Sequence, residues 1–305
     1  MAHTDFLRAF AVSQGLDNAE QLTVGNHAQK YNYVIKSRDA AKPLVDTLKA
    51  RLPSGLDGVR VLHIGAGYGS LAIELAKHGA SVVGVETADP KRTLAEIHAQ
   101  GEADVTFLKS YLSVRSHVEL LREQGPFNVV IVHELFRRTY DTLGLLNNLK
   151  SLLAPGGLLS YRITNFFTPQ AVLSDPTQKK LGLTLLPPDK VFEYVGANYG
   201  VYFRPKAYYD ALFQFVGFGA AQPINGNTDG SHDATRKAID ADVRRIREAL
   251  KEENFSDTKV FTAVRAACRD YLEELSHDVK MMNWDDLFMK YRALHWEECR
   301  KLPLT

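Results

Sequence analysis

Apolar residues follow two rhythms along this chain. Short runs rich in Val, Leu and Ile occupy residues 59–64, 81–85, 105–108 and 127–132. Runs this short and continuous are expected of parallel strands covered on both faces. Between them apolar positions recur at three- and four-residue spacing, which predicts helices over residues 70–78, 90–100, 116–124 and 143–153. Such alternation of strand and helix predicts an α/β domain built on a doubly wound, mostly parallel sheet.

The rhythm continues on both sides. Residues 158–162 read as a fifth strand after the turn Pro155-Gly156-Gly157, residues 206–215 as a helix stopped by Gly217, and residues 220–224 as a sixth strand. Residues 259–265, where Val260, Phe261, Thr262 and Val264 mix β-branched and aromatic types, read as a closing antiparallel strand. The alternative joins them to the helix that follows. The strand reading leaves residues 232–254 as a helical insertion and residues 266–305 as a helical extension, with Trp284, Leu287, Phe288, Tyr291, Leu294 and His295 on a broad apolar side. Residues 1–57 read as an N-terminal helical segment. There Phe6, Phe10 and Val12 are offered to a core, and residues 39–52 carry Ala41, Leu44, Val45 and Leu48 at helical spacing.

The first two strands bracket the turn Gly65-Ala66-Gly67-Tyr68-Gly69, and Glu86 closes the second. Glycines there let a backbone approach a bound molecule, and the helix start that follows offers free N–H groups. A dinucleotide fingerprint needs G-x-G-x-x-G, but Ser70 stands where that third glycine belongs. G-x-G-x-G followed by an acid at the end of the second strand resembles the first motif of class I S-adenosylmethionine-dependent methyltransferases. The Leu-rich helix, Pro-Gly-Gly and fifth strand resemble the same family, and the likeness covers roughly residues 58–224.

The resemblance implies a seven-stranded sheet over residues 58–265, N-terminal helices that close over the site, and S-adenosylmethionine as cofactor. It implies that Gly65, Ala66, Gly67 and Gly69 border the cofactor, that Glu86 binds both ribose hydroxyls with Thr87 beside it, and that the third-strand loop meets adenine. That loop carries Tyr111 where an acid is common, so stacking and plain packing both stay open. His63 replaces the first-strand acid that supports the methionine end, and Asn128 replaces another acid in the fourth strand. His133 and Glu134 stand at the methyl-facing end of that strand, His133 as the first choice for a general base and as a cofactor neighbour. Tyr33, Arg137, Tyr161, Arg162, Tyr199, Tyr202 and Arg204 are the substrate-side candidates, tyrosines with polar tips suiting a flat acceptor.

Composition narrows the partners. The 305 residues balance 37 Lys and Arg against 36 Asp and Glu, for a net charge of +1. That balance argues against long nucleic acid and for a small-molecule acceptor. Cys268 and Cys299 have no Cys or His at metal-ligand spacing and read as free thiols in a reducing compartment. With no apolar stretch of membrane-spanning length, a soluble cytoplasmic protein is expected. The reading is an enzyme of specialised metabolism that methylates an oxygen or nitrogen, with carbon behind them. Two alternatives stand: a protein of this fold that catalyses a non-methyl step such as cyclisation, and a non-catalytic partner subunit. A homodimer through the C-terminal helices completes the expectation.

Overall fold

A computed structural model of the chain describes residues 2–23, 27–101, 103–133, 135–174, 180–195, 202–224, 232–251, 259–291 and 294–303. Two helices, α1 (Ala2–Ser13) and α2 (His27–Arg51), precede the sheet. The first half of the sheet domain then runs β1 (Arg60–Ile64), α3 (Ser70–Lys77), β2 (Ser81–Val85), α4 (Asp89–Ala99), β3 (Val105–Leu108), α5 (Arg115–Glu123) and β4 (Phe127–His133). After α6 (Thr142–Leu152) and the long β5 (Leu153–Thr164) come α7 (Pro169–Leu173), α8 (Pro188–Val195), α9 (Lys206–Val216) and the two-residue β6 (Gln222–Pro223). The helices α10 (His232–Ala249), α11 (Lys259–Met281) and α12 (Trp284–Tyr291) lead to β7 (Leu294–Arg300).

The strand order is β3-β2-β1-β4-β5-β7-β6, with β1 to β5 parallel and β7 antiparallel to both β5 and β6. Both faces of the sheet are covered, as the unbroken apolar runs require. On one face Leu62, Ile64, Val85, Val130, Val132 and Leu159 pack with Val118 of α5, Leu145 and Leu149 of α6 and Phe213 of α9. On the other, Val61, Val82, Val129, Ile131 and Leu158 pack with Leu44 and Leu48 of α2, Leu71 and Leu75 of α3 and Ala95 of α4. Each such fully buried Leu or Val contributes roughly 1.5–3 kcal/mol over an exposed one.

The closing strand is not where the alternation put it. Residues 259–265 open α11, because Val264, Cys268, Tyr271 and Leu275 continue one buried helical stripe well past the short run that looked like a strand. The expected helical extension is likewise corrected: helix stops at Tyr291, and β7 inserts between β5 and β6. β5 left its far edge unpaired, and a strand from the chain's end satisfies those backbone groups.

α7, α8, α10, α11 and α12 share a separate core around Val172, Leu183, Ile246, Val264, Tyr271 and Leu287. This lobe is tied to the end of β5 by polar bonds. Tyr271 donates its hydroxyl to the Phe167 carbonyl at 2.7 Å, and Asn165 Nδ2 donates to the Lys290 carbonyl at 2.7 Å. Of the three N-terminal residues offered to a core, Phe6 and Phe10 are fully buried, whereas Val12 is exposed. No helix among the described residues is long and apolar enough to cross a membrane.

Candidate functional site

β1 ends in a backbone that only glycine adopts readily. Gly65, Gly67 and Gly69 have φ of 79°, 57° and 82°. A Cβ on Gly65 would stand 2.8 Å from the His133 carbonyl oxygen, so that glycine lets β1 and β4 close up at their carboxyl ends. A Cβ on Gly67 would meet nothing within 4 Å. Glu86, buried at the end of β2, reaches back to this turn. Its two carboxylate oxygens accept the Gly67 N–H at 2.9 Å and the Ala88 N–H at 2.9 Å. An ionised carboxylate has about four acceptor positions, so two bonds leave capacity for a ligand's hydroxyls.

A cavity of about 560 Å³ opens beside the turn, at the point where strand order reverses between β1 and β4. Of the residues expected at the site, Gly65, Glu86, Thr87, Tyr111 and His133 line it. Tyr111 is 41% exposed on the rim, its backbone N–H donating to His117 Nδ1 at 3.0 Å. Ile64, Val85, Leu112, Leu135 and Leu145 supply an apolar interior.

His133 lies half-buried with Nε2 3.3 Å from Arg162 Nη1. A guanidinium can only donate, so Nε2 carries a lone pair and not a proton. The register that pairs His133 with Arg162 and Val132 with Tyr161 puts these neighbours on opposite faces. Tyr161 is therefore corrected from substrate contact to core. It is fully buried, stacked on Phe213 with ring centroids 4.5 Å apart. Arg204 is engaged within the fold. Its guanidinium donates to the carbonyls of Thr139 and Tyr140 at 2.8 and 2.9 Å and to Thr142 Oγ1, and it lies over the rings of Tyr202 and Tyr208. That cation holds the β4–α6 loop in shape. Tyr202 belongs to the same anchor, donating its N–H to the Arg137 carbonyl at 2.7 Å. Glu134 and Tyr199 lie outside the described residues, as does the side chain of Tyr33 in α2.

His63 is buried beside the turn, and neither ring nitrogen has a hydrogen-bond partner among the described residues. Burial, with His133 adding repulsion, pushes its pKa down to about 3, so it is neutral at physiological pH. Asn128 sits away from the cavity, at the opposite end of β4, accepting the Arg60 N–H at 2.9 Å. Among the cavity residues missed from sequence are Ser113, Thr139, Tyr140 and Asp141. Their position in loops after β3 and β4 was the available signal. Asp141 also caps α6, accepting the Gly144 N–H at 2.8 Å.

Residues 36–179, which carry the glycine turn, Glu86, His133 and Arg162, match the family described as "Methyltransferase domain". Over that segment the chain is similar to methyltransferase domains. The matched segment takes in β1 to β5 and leaves out α1, α8 to α12, β6 and β7. A ubiquinone biosynthesis O-methyltransferase of Acinetobacter baylyi is 26% identical over 157 residues, 51% of this chain and 57% of that protein. Another of the same name, from Vibrio parahaemolyticus, is 30% identical over 112 residues, 36% of this chain and 46% of that protein. The match thus spans about half the length of these curated relatives. Among solved structures, the magnesium protoporphyrin IX methyltransferase of Synechocystis is 22% identical, covering 73% of this chain and 94% of that one, with a TM-score of 0.45.

Proposed function

We propose that this protein transfers a methyl group from S-adenosylmethionine to an oxygen or nitrogen of a small-molecule acceptor, with carbon the remaining choice. The observation that carries the reading is Glu86, buried at the cavity wall and tied to the Gly67 N–H, with acceptor capacity left over. A nucleoside fits the lining: carboxylate for ribose hydroxyls, aliphatic side chains for the base, and Tyr111 on the rim. The cofactor would supply an electrophilic methyl on a sulfonium. The match of residues 36–179 to methyltransferase domains and the curated O-methyltransferases similar to this chain support the reading.

The protein's own contribution is alignment. Holding two reactants in line supplies up to about 7–11 kcal/mol in favourable model systems. Glu86 and the turn hold the nucleoside end, and the loop after β4, braced by Arg204, borders the reacting end. His133 is the assigned base. Its Nε2 lone pair, kept bare of a proton because Arg162 can only donate to it, takes the acceptor's proton when the acceptor enters between the two side chains. His63 brings no negative charge to the methionine end, and its ring can offer only a neutral hydrogen bond.

Calorimetric titration with S-adenosylmethionine and S-adenosylhomocysteine, with NAD as control, tests this. Binding on the order of micromolar is expected for the first two, weakened tenfold or more in Glu86→Ala by loss of charged hydrogen bonds of roughly 1.5–3 kcal/mol each. Absence of binding by both ligands would overturn the proposal.

A further inference from the structure

Tyr68 stands between two left-handed glycines, in a turn closed by the Gly69 N–H donating to the Ala66 carbonyl at 2.9 Å. Its carbonyl is held from a distance. His98 of α4, almost fully buried, places Nδ1 2.8 Å from the Tyr68 carbonyl oxygen. A carbonyl only accepts, so Nδ1 carries the proton and the imidazole donates. The ring is roofed by α1: Phe6 stacks on it with centroids 4.2 Å apart and planes 20° apart, and Phe10 meets the Tyr68 ring edge-on at 5.4 Å. Phe6 and Phe10 are fully buried in a cluster shared with Leu94 and Ile97 of α4 and with Tyr68 itself. A hydrogen bond kept from water this way is stronger than one that water can replace.

We propose that His98 and Phe6 are positioning residues for the cofactor turn, so that docking of α1 and occupancy of the turn by an adenosyl sulfur compound are coupled through the Tyr68 carbonyl. The inference rests on the function proposed above. If α1 leaves, water reaches the His98 bond and the Gly67–Gly69 turn loses its brace. By linkage, a ligand that needs the braced turn must in return hold α1 down.

The test uses the full chain, S-adenosylhomocysteine as probe, and the variants His98→Leu, His98→Asn and Phe6→Leu. Asn keeps a donor near the Nδ1 position, and Leu keeps bulk without a donor. Losing one neutral hydrogen bond of about 1–1.5 kcal/mol weakens binding by about tenfold in His98→Leu, while His98→Asn stays within roughly twofold of wild type. Phe6→Leu falls between them. Hydrogen exchange adds a readout that packing alone does not move: the probe slows exchange of α1 amides in the wild type and much less in His98→Leu. If His98→Leu does not fold, Phe6→Leu and His98→Asn carry the same comparison. Wild-type affinity in the Leu variants, or α1 exchange indifferent to the probe, overturns the coupling and leaves the proposed function standing. A wild type that does not bind the probe overturns the proposed function and with it the coupling; the brace itself is then read from the ligand-free protein, where turn amides that exchange no faster in His98→Leu than in the wild type overturn it too.

Discussion

At Gly65 and Gly67 the same residue type meets two different constraints. A methyl on Gly65 would press on a main-chain oxygen of β4, which cannot move without opening the sheet. A methyl on Gly67 has room, and its cost is the left-handed backbone, about 1–2 kcal/mol for an L-residue. Gly65→Ala is therefore expected to lower the melting temperature clearly more than Gly67→Ala. Gly67→Ala should keep the fold and lose S-adenosylhomocysteine affinity, because the added methyl stands where backbone and ligand would meet. Thermal melts and calorimetry on the two variants check this, and equal effects on stability would contradict it. The turn's glycines and Glu86 were legible in sequence because their spacing is local. The roles of Tyr161 and Arg204 were not, since each depends on which face or which neighbouring carbonyl the side chain meets.

Among the elements, β7 does what the sequence pattern assigned to residues 259–265. It joins the end of the chain to its start: Glu298 of β7, buried under the sheet's covering helices, lies 3.2 Å from Arg51 at the end of α2, and Arg300 donates to the Arg51 carbonyl at 3.3 Å. Burial raises the Glu298 pKa, with Arg51 and Arg300 only partly opposing. A carboxyl raised in the folded state stabilises below its unfolded pKa, and that contribution is lost as pH rises through the folded value. Glu298→Gln, similar in volume and uncharged, should then melt at or above wild type at pH 7, with the difference vanishing near pH 4. Arg51 is half exposed, so in the variant solvent can replace the lost carboxylate at little cost. A lower melting temperature for Glu298→Gln at pH 7 would show that the ion pair outweighs the burial of its carboxylate.

For the molecule as a whole, the buried imidazole of His63 links folding to pH. The unfolded chain takes up a proton there below pH 6.5, and the folded chain does not until about pH 3. Stability from this group is present above pH 6.5 and is lost as pH falls, by at most about 1.4 kcal/mol per pH unit. Between pH 7 and pH 5 the wild type should lose about 2 kcal/mol more unfolding free energy than His63→Met, measured by urea denaturation at both values. Equal losses would mean that His63 charges in the folded state.

The residues alone determined the four parallel strands β1 to β4, the helices between them, the glycine turn and the acid at the end of β2. Strands covered on both faces must be apolar throughout, and a turn around a ligand needs particular backbone angles, so both leave their mark in adjacent residues. Only the tertiary structure decided that residues 259–265 are helix and residues 294–300 strand, that Arg204 braces a loop, and that His98 and α1 support Tyr68. A short amphipathic segment suits either helix or strand until the surface it must cover is present, and a side chain thirty residues away from its partner leaves no local trace of the contact.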